Sequence, residues 1–345
     1  MRGVIGVGMR AIVCHAPGKI ETLRLEDAPP PRAPGPGEVC IVVHAAGVNF
    51  ADVLITRGAY QEKPAHPFSP GMEAAGVVAS AGAGVTHVRA GDRVLAFLDH
   101  GGFAEEAVAR AADVTPIPPA MDFATAACFP VVYATSHLAL CHRARLRPGE
   151  VLLVHGASGG VGLTAVEVGK TVGATVIATA SSREKLVVAR EHGADHLVNS
   201  AEEDICERVA ALTGGADVVY DPVGGDAFTA SLRVIRPGGR LLVIGFASGT
   251  VPQIPANHLL VKDASALGLS LGQLRRHRPD AVAAAMAELV RWYAEGRLRP
   301  FVSRTLPLER AVEALALLRD RRSTGKVALA VRGDGAGGPG GGAGP

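Results

Sequence analysis

The stretch from residue 151 to 172 constrains this chain more than any other. Val151-Leu152-Leu153-Val154 is a short apolar run of the kind that forms a buried strand. It passes into His155-Gly156-Ala157-Ser158-Gly159-Gly160-Val161-Gly162, and a helical pattern over residues 160–172 follows. A strand that turns this tightly into a helix aims free backbone amides, and the positive end of the helix, at whatever lies beyond the turn. A pyrophosphate suits such a cradle. The local match to G-x-G-x-x-G is Ala157-x-Gly159-x-x-Gly162, with alanine at the first position. Gly159 has no side chain to block a phosphate, and Gly162 lets the helix sit close to the strand.

On its own this string is also compatible with an ordinary strand-to-helix turn. The alternation that follows argues for more. Strand signals at 175–179, 196–198, 217–220 and 240–244 alternate with helical patterns at 183–192 and 204–212. Such βαβ units predict a parallel sheet. The chain has 345 residues, long enough for two domains. Before residue 150 the pattern differs. Short apolar runs, such as Val39-Cys40-Ile41-Val42-Val43 and Asp92-Arg93-Val94-Leu95-Ala96, are punctuated by glycine and by Pro29, Pro30, Pro31, Pro34 and Pro36. This predicts an irregular β-rich domain. Beyond residue 275 the chain reads as helical at 280–295 and 308–318. A closing strand at 326–331 is expected to return to the first domain.

Net charge is +2 with histidine neutral, and no block of lysine or arginine stands out, which argues against nucleic acid or a membrane surface as partner. No run approaches the ~20 apolar residues of a membrane helix. The five cysteines are scattered and never form C-x-x-C, so reduced thiols and a cytoplasmic location are expected. No cleavable signal pattern opens the chain, and Met9 is itself a plausible start, leaving residues 1–8 as a possible extension. Residues 333–345 are almost wholly Gly, Ala and Pro and are expected to be a disordered tail.

The second strand of the alternation runs into Ala180-Ser181-Ser182-Arg183-Glu184-Lys185. An NAD-selective site normally places a carboxylate here for the ribose 2′-hydroxyl. Ala180 stands at that position. The hydroxyls and cations after it suit a 2′-phosphate, so NADPH is the expected cofactor. Glu184 is the exception, and at a helix start it is expected to point away. Ser182 equally reads as a helix cap, with Arg183 and Lys185 on a solvated face. Both readings can hold together.

Further strings carry a resemblance. Gly47-Val48-Asn49-Phe50-Ala51-Asp52, Arg57-Gly58-Ala59-Tyr60 and Pro70-Gly71-Met72-Glu73-Ala74-Ala75-Gly76-Val77-Val78 lie in order. Gly91-Asp92-Arg93-Val94, Gly101-Gly102-Phe103-Ala104-Glu105, Val131-Val132-Tyr133-Ala134-Thr135 and Asn257-His258-Leu259-Leu260-Val261-Lys262 follow. Over residues 9–331 the chain resembles the zinc-free quinone oxidoreductase (zeta-crystallin-like) branch of the medium-chain dehydrogenase/reductase superfamily. The resemblance implies an α/β protein with a GroES-like β-rich catalytic domain and a Rossmann domain, a doubly wound parallel sheet that binds NADPH. The boundaries expected are 9–134 for the first, 135–273 for the second, and 274–332 for a return to the first. It implies a homodimer or homotetramer, and a quinone or conjugated carbonyl as the small-molecule acceptor.

Zinc-dependent members of the superfamily place a cysteine where this chain has Asn49 and a histidine where it has Met72, and neither replacement is a good zinc ligand. The cysteine-rich structural zinc lobe is missing as well. His66, His87 and His100 lie nearby without a ligand spacing and read as loop histidines, so no metal site is expected. Without a Lewis acid, an electron-poor acceptor suits the site better than an alcohol.

By resemblance, Asn49 borders nicotinamide and acceptor, its amide able to donate to a carbonyl oxygen. Tyr60 is the candidate proton donor, or else a loop tyrosine packed on the surface. Thr135 lies near nicotinamide and phosphates, or is a helix-interior hydroxyl. The turn residues Ser158, Gly159, Gly160 and Val161 hold the pyrophosphate, the last three by backbone. Ser181 and Lys185 read the 2′-phosphate. Ser200 stands where relatives often have a tyrosine clamp, and Gly245, Phe246 and Ala247 line the nicotinamide pocket, whereas Ile244 equally reads as core. Leu54 replaces a second tyrosine common among relatives, which suggests an apolar acceptor pocket. The acceptor stays open between a quinone and an enone or enoyl thioester. A protein that binds NADPH with little turnover is a third reading.

Overall fold

The structure, a computed structural model, describes residues 8–332. The expected Gly-rich tail and residues 1–7 therefore lie outside the described residues.

Fifteen strands are described, in two large sheets and a small one. Strands β1 (Met9–Val13) and β2 (Arg24–Ala28) form an antiparallel pair. Strands β3 (Glu38–Val48), β4 (Glu73–Ala81), β5 (Arg93–Phe97), β6 (Glu106–Arg110) and β7 (Val114–Pro116) build the first large sheet. Strands β8 (Val151–Val154), β9 (Thr175–Ala180), β10 (His196–Asn199), β11 (Ala216–Asp221), β12 (Ile235–Val243) and β13 (Ser265–Gly268) build the second. Strands β14 (Val302–Pro307) and β15 (Lys326–Ala330) return to the first, where β15 pairs with β3 through Val327 and Val48.

The second sheet is wholly parallel, in the order β10-β9-β8-β11-β12-β13. All four residues of β8 are buried, as a central parallel strand covered on both faces requires. From β8 the chain winds toward β10, and from β11 it winds the other way. Right-handed crossovers therefore place the helices Gly160–Val172 and Gly225–Val234 on opposite faces. A crevice opens between them at the carboxyl ends of β8 and β11, the usual binding position of a doubly wound sheet.

Short polar caps set the helices around it. The Ser182 hydroxyl accepts from the Lys185 amide at the start of Arg183–Glu191, and Asp204 caps Ile205–Thr213 through the Glu207 amide. Gly173 ends the helix Gly160–Val172 with φ at +96°, the left-handed stop that glycine makes without steric cost.

The two large sheets share one apolar cluster. Leu95 and Phe97 of β5, Leu152 and Val154 of β8, and Trp292 belong to it. Phe129 and Tyr133 stack inside it with ring centroids 4.3 Å apart. A polar clamp reinforces this seam. Arg275, in the helix Leu271–His277, donates Nε to Asp113 Oδ1 (2.9 Å) and Nη2 to Asp113 Oδ2 (3.0 Å). It also donates to the Leu98 carbonyl at 3.2 Å. Arg275 and Asp113 are each only 5% exposed. A helix that follows the second sheet is thus bolted to the first. Among the described residues, no helix is long and apolar enough to cross a membrane.

Candidate active site

The crevice contains a cavity of about 410 Å³, within the range of small-molecule sites. Its floor is the turn after β8. Ser158, Gly159, Gly160, Val161 and Gly162 all line it. The glycines have separate duties. A β-carbon on Gly159 meets only the Gly156 carbonyl, at 3.4 Å, so the turn itself tolerates one and bareness serves what enters the cavity. A β-carbon on Gly162 lies 2.2 Å from the same oxygen and 2.9 Å from Ala157 Cα, so here the lack of a side chain serves helix-to-strand packing.

One end of the cavity is lined by Thr179, Ala180, Ser181, Lys185 and Ser200. No carboxylate is among them. The Lys185 ammonium donates to the Arg321 carbonyl at 3.1 Å, from a half-buried side chain. Arg183 turns outward to Glu202, 3.7 Å away, and is 83% exposed. The Ser182 hydroxyl holds the Glu184 carboxyl below its ordinary value, outside the cavity lining. Ser182 thus caps its helix while Ser181 and Lys185 face the cavity. The capping reading of Ser182 is met, and Ser181 and Lys185 are placed on the cavity lining.

The other end reaches Asn49 and Phe50. Asn49 sits at the start of the helix Phe50–Thr56 and is 7% exposed. Its Nδ2 donates to Glu73 Oε1 at 2.9 Å, so one of its two N–H groups is already engaged. Its Oδ1 accepts from the Lys326 ammonium at 2.8 Å. Lys326 also donates to Glu73 Oε1 (2.7 Å) and to the Val48 carbonyl (2.8 Å). Glu73 Oε2 accepts from the Val131 amide at 2.9 Å. Beneath them Asp52 accepts from the Asn49 and Gly71 amides, at 2.8 and 3.2 Å. Burial pushes Asp52 up to about 7, against those two amides and the nearby Lys326 charge.

This donor set does not suit a zinc ion. Asn49 offers an amide, and Met72 packs its thioether into the apolar core of the first sheet. The Asn49 and Glu73 oxygens that face each other already hold an ammonium.

Four of the expected site residues do not line the cavity. Thr135 donates its hydroxyl to the Val131 carbonyl at 2.6 Å, a bond within its own helix. Tyr60 is half-buried against the core of the first sheet. Burial, aided by Glu62 and Asp52, pushes its phenol up. Gly245 and Phe246 flank the cavity without lining it, while Ala247 does line it. Ile244 packs against the shared core.

Among the lining residues not singled out in the sequence are Arg321, Ser323 and Lys326. They come from the segment before and at the start of β15, far along the chain from the turn. The Gly325 amide donates to the Ser158 carbonyl at 2.7 Å, and Gly325 bridges Gly159 in a parallel pair. Arg321 spans the crevice to the Ala247 carbonyl at 2.5 Å. The available signal was Lys326 itself, a lone charge heading the apolar run Val327-Ala328-Leu329-Ala330. A lysine so placed is either solvated or paired.

Comparison with known proteins agrees with this architecture. Residues 35–119 match the alcohol dehydrogenase GroES-like domain, and residues 160–291 match the zinc-binding dehydrogenase family. The quinone oxidoreductase-like protein 2 of Bos taurus is 40% identical over 305 residues, covering 88% of this chain and 87% of that protein. Its homolog in Nematostella vectensis is 39% identical over 324 residues, covering 93% and 88%. The chain belongs to the quinone oxidoreductase-like branch of the medium-chain dehydrogenase/reductase superfamily. Within that superfamily, the crystal structure of Escherichia coli quinone oxidoreductase complexed with NADPH superposes with a TM-score of 0.86 at 30% identity. That match covers 94% of this chain and all of the other. The branch-level resemblance read from the motifs around Asn49, Tyr60 and Glu73 is therefore met, as is the pairing of a GroES-like β-rich sheet with a Rossmann sheet.

Proposed function

We propose that this chain is an NADPH:quinone reductase that works without a metal ion. The carrying observation is one continuous cavity. It runs from a phosphate cradle and a carboxylate-free 2′-phosphate corner to a buried amide held by an ammonium and a carboxylate. Bound there, NADPH supplies a hydride to the acceptor. The turn at Ser158, Gly159, Gly160 and Val161 holds the pyrophosphate by backbone amides, and Ser181, Lys185 and Ser200 receive the 2′-phosphate. Asn49 borders the acceptor and offers its remaining N–H to the oxygen on which negative charge grows. Phe50 and Val132 close the same end with apolar surface, which limits water.

The lining also favours a quinone over an enone. It contains no carboxyl, phenol or thiol. His155, which does line it, is buried between the Thr179 and Ser231 hydroxyls, and burial holds its imidazole down, so the ring stays neutral and has no imidazolium proton to give. Reducing an enone requires a proton delivered to carbon. Hydride reduction of a quinone leaves a hydroquinone anion that needs one proton, on oxygen, which solvent provides as the product leaves.

NADPH oxidation followed at its absorbance band tests this reading, with several quinones, an enone and an acyl thioester as acceptors. Turnover is expected with quinones. Turnover with the enone alone would replace the quinone reading, and none with any acceptor would favour a binding role. For the corner, Lys185→Ala is expected to raise the KM for NADPH about tenfold, the worth of one charge-assisted contact, and the KM for NADH less than twofold. Equal effects on both nucleotides would remove the phosphate role.

A further inference from the structure

We infer that Lys326 is the resident cation of this active site, a positioning residue that fixes Asn49 and fills the place a metal ion would need. The inference rests on the hydride-transfer reading above, because it explains how Asn49 is held for that step.

A buried lysine is rare unless paired, and Lys326 is 6% exposed. An ammonium has three donors and no acceptor. All three are engaged, on Val48 O, Asn49 Oδ1 and Glu73 Oε1. In this state Lys326 has no proton left to offer an acceptor, so it acts through its neighbours. The ammonium on Oδ1 and the carboxylate on Nδ2 fix which way the Asn49 amide faces. A flip would set an N–H against the ammonium and an oxygen against the carboxylate. The second Nδ2 hydrogen is the one left for the cavity.

The same contacts bear on metals. A divalent ion bound to Asn49 Oδ1 and Glu73 Oε1 would sit against a positive charge in a low-dielectric site. Lys326 must leave before such an ion can enter. The chain that has Asn49 and Met72 where a zinc site would need better ligands thus also carries its own cation.

The test uses the full chain as wild type, Lys326→Met, and Lys326→Met with Glu73→Gln. Three readouts are followed: thermal stability, NADPH dissociation constant, and the side-chain amide signals of Asn49 in selectively ¹⁵N-labelled protein. Quinone turnover is the fourth. Lys326→Met strands Glu73 as an unpaired buried charge and is expected to lower stability, and the added Glu73→Gln is expected to restore most of it. In the double variant kcat is expected to stay about 100-fold below wild type, the cost of a misplaced positioning group, with NADPH affinity within about threefold. The Asn49 amide proton held by Glu73 is expected to be resolved and slow to exchange in wild type, and to exchange fast in the double variant. Recovery of both stability and kcat there would reduce Lys326 to a structural role and overturn the inference. So would unchanged Asn49 signals, or stoichiometric zinc uptake by the wild type. Failure of wild-type turnover would strike the functional reading alone, since the amide signals report the lock without any acceptor.

Discussion

Gly162→Ala is expected to weaken NADPH binding by roughly 100-fold and to lower thermal stability as well. The added β-carbon would lie 2.2 Å from the Gly156 carbonyl oxygen, 2.8 Å from its carbon and 2.9 Å from Ala157 Cα. These are backbone atoms of the turn and cannot swing aside as a flexible side chain does. Either the helix Gly160–Val172 backs away from β8 or the turn deforms. Overpacking of this kind costs up to about 3 kcal/mol, and each 1.4 kcal/mol lost from the bound state is a factor of ten in affinity. Gly159→Ala supplies the contrast. Its β-carbon meets nothing closer than 3.4 Å, so the fold should hold while the approach of the phosphate is blocked. Fluorescence titration with NADPH, paired with a thermal melt, separates the two. Affinity for Gly162→Ala within threefold of wild type would mean that the turn is not the nucleotide cradle.

The second large effect lies away from the cavity. Arg275→Ala is expected to lower the melting temperature by about 5 °C while NADPH affinity changes little. The substitution leaves Asp113 buried, still paired with the partly exposed Arg110 but without its two-pronged partner. Breaking a buried pair on one side costs about 3–5 kcal/mol, and in a protein of this size each kcal/mol moves the melting temperature by about 1–2 °C. Because Arg275 joins a helix of the second sheet's side to the first sheet, the melt is expected to broaden or split as the sheets uncouple. Arg275→Met combined with Asp113→Leu should recover more than half of the loss, since matched apolar residues need no counter-charge. A single sharp melt at the wild-type temperature for Arg275→Ala would show that the apolar seam alone joins the sheets.

Local patterning made the second sheet legible. The helix read over 160–172 and the strand read over 151–154 coincide with the observed elements. The strand signals at 175–179 and 196–198 miss by one residue. Each of these segments is decided by its own apolar period and by glycine or a cap at its end. The return of the closing strand to the first sheet was legible because a strand left after the helices needs a sheet to join, whereas its pairing with β3 and the strand β14 beside it were not.

The site was legible only where it is local. The glycine turn and the Ser181–Lys185 corner are short strings that carry their chemistry with them. The lock on Asn49 is not. It joins residues 49, 73 and 326, and nothing in the spacing of a sequence states that a lysine at the head of one strand will end beneath an asparagine 277 positions away. Thr135 and Tyr60 illustrate the converse. Each sits in a family-like string, yet one hydroxyl bonds its own helix and the other ring settles on the core, because local packing decided where they point.

Gly325 bridging Gly159, with Lys326 next to it, has a consequence for how the protein is made. The ribosome releases the nucleotide turn more than 150 residues before the segment that braces it, as the Gly159 to Gly325 pairing requires. Until that segment emerges, β3 lacks its β15 partner, and Glu73 lacks its counter-ion. A nascent chain can build the parallel sheet early, as domains do during synthesis. It completes the centre only near the end of translation, so a frameshift or proteolytic cut shortly before residue 325 would remove both the brace on the nucleotide turn and the cation beside Asn49.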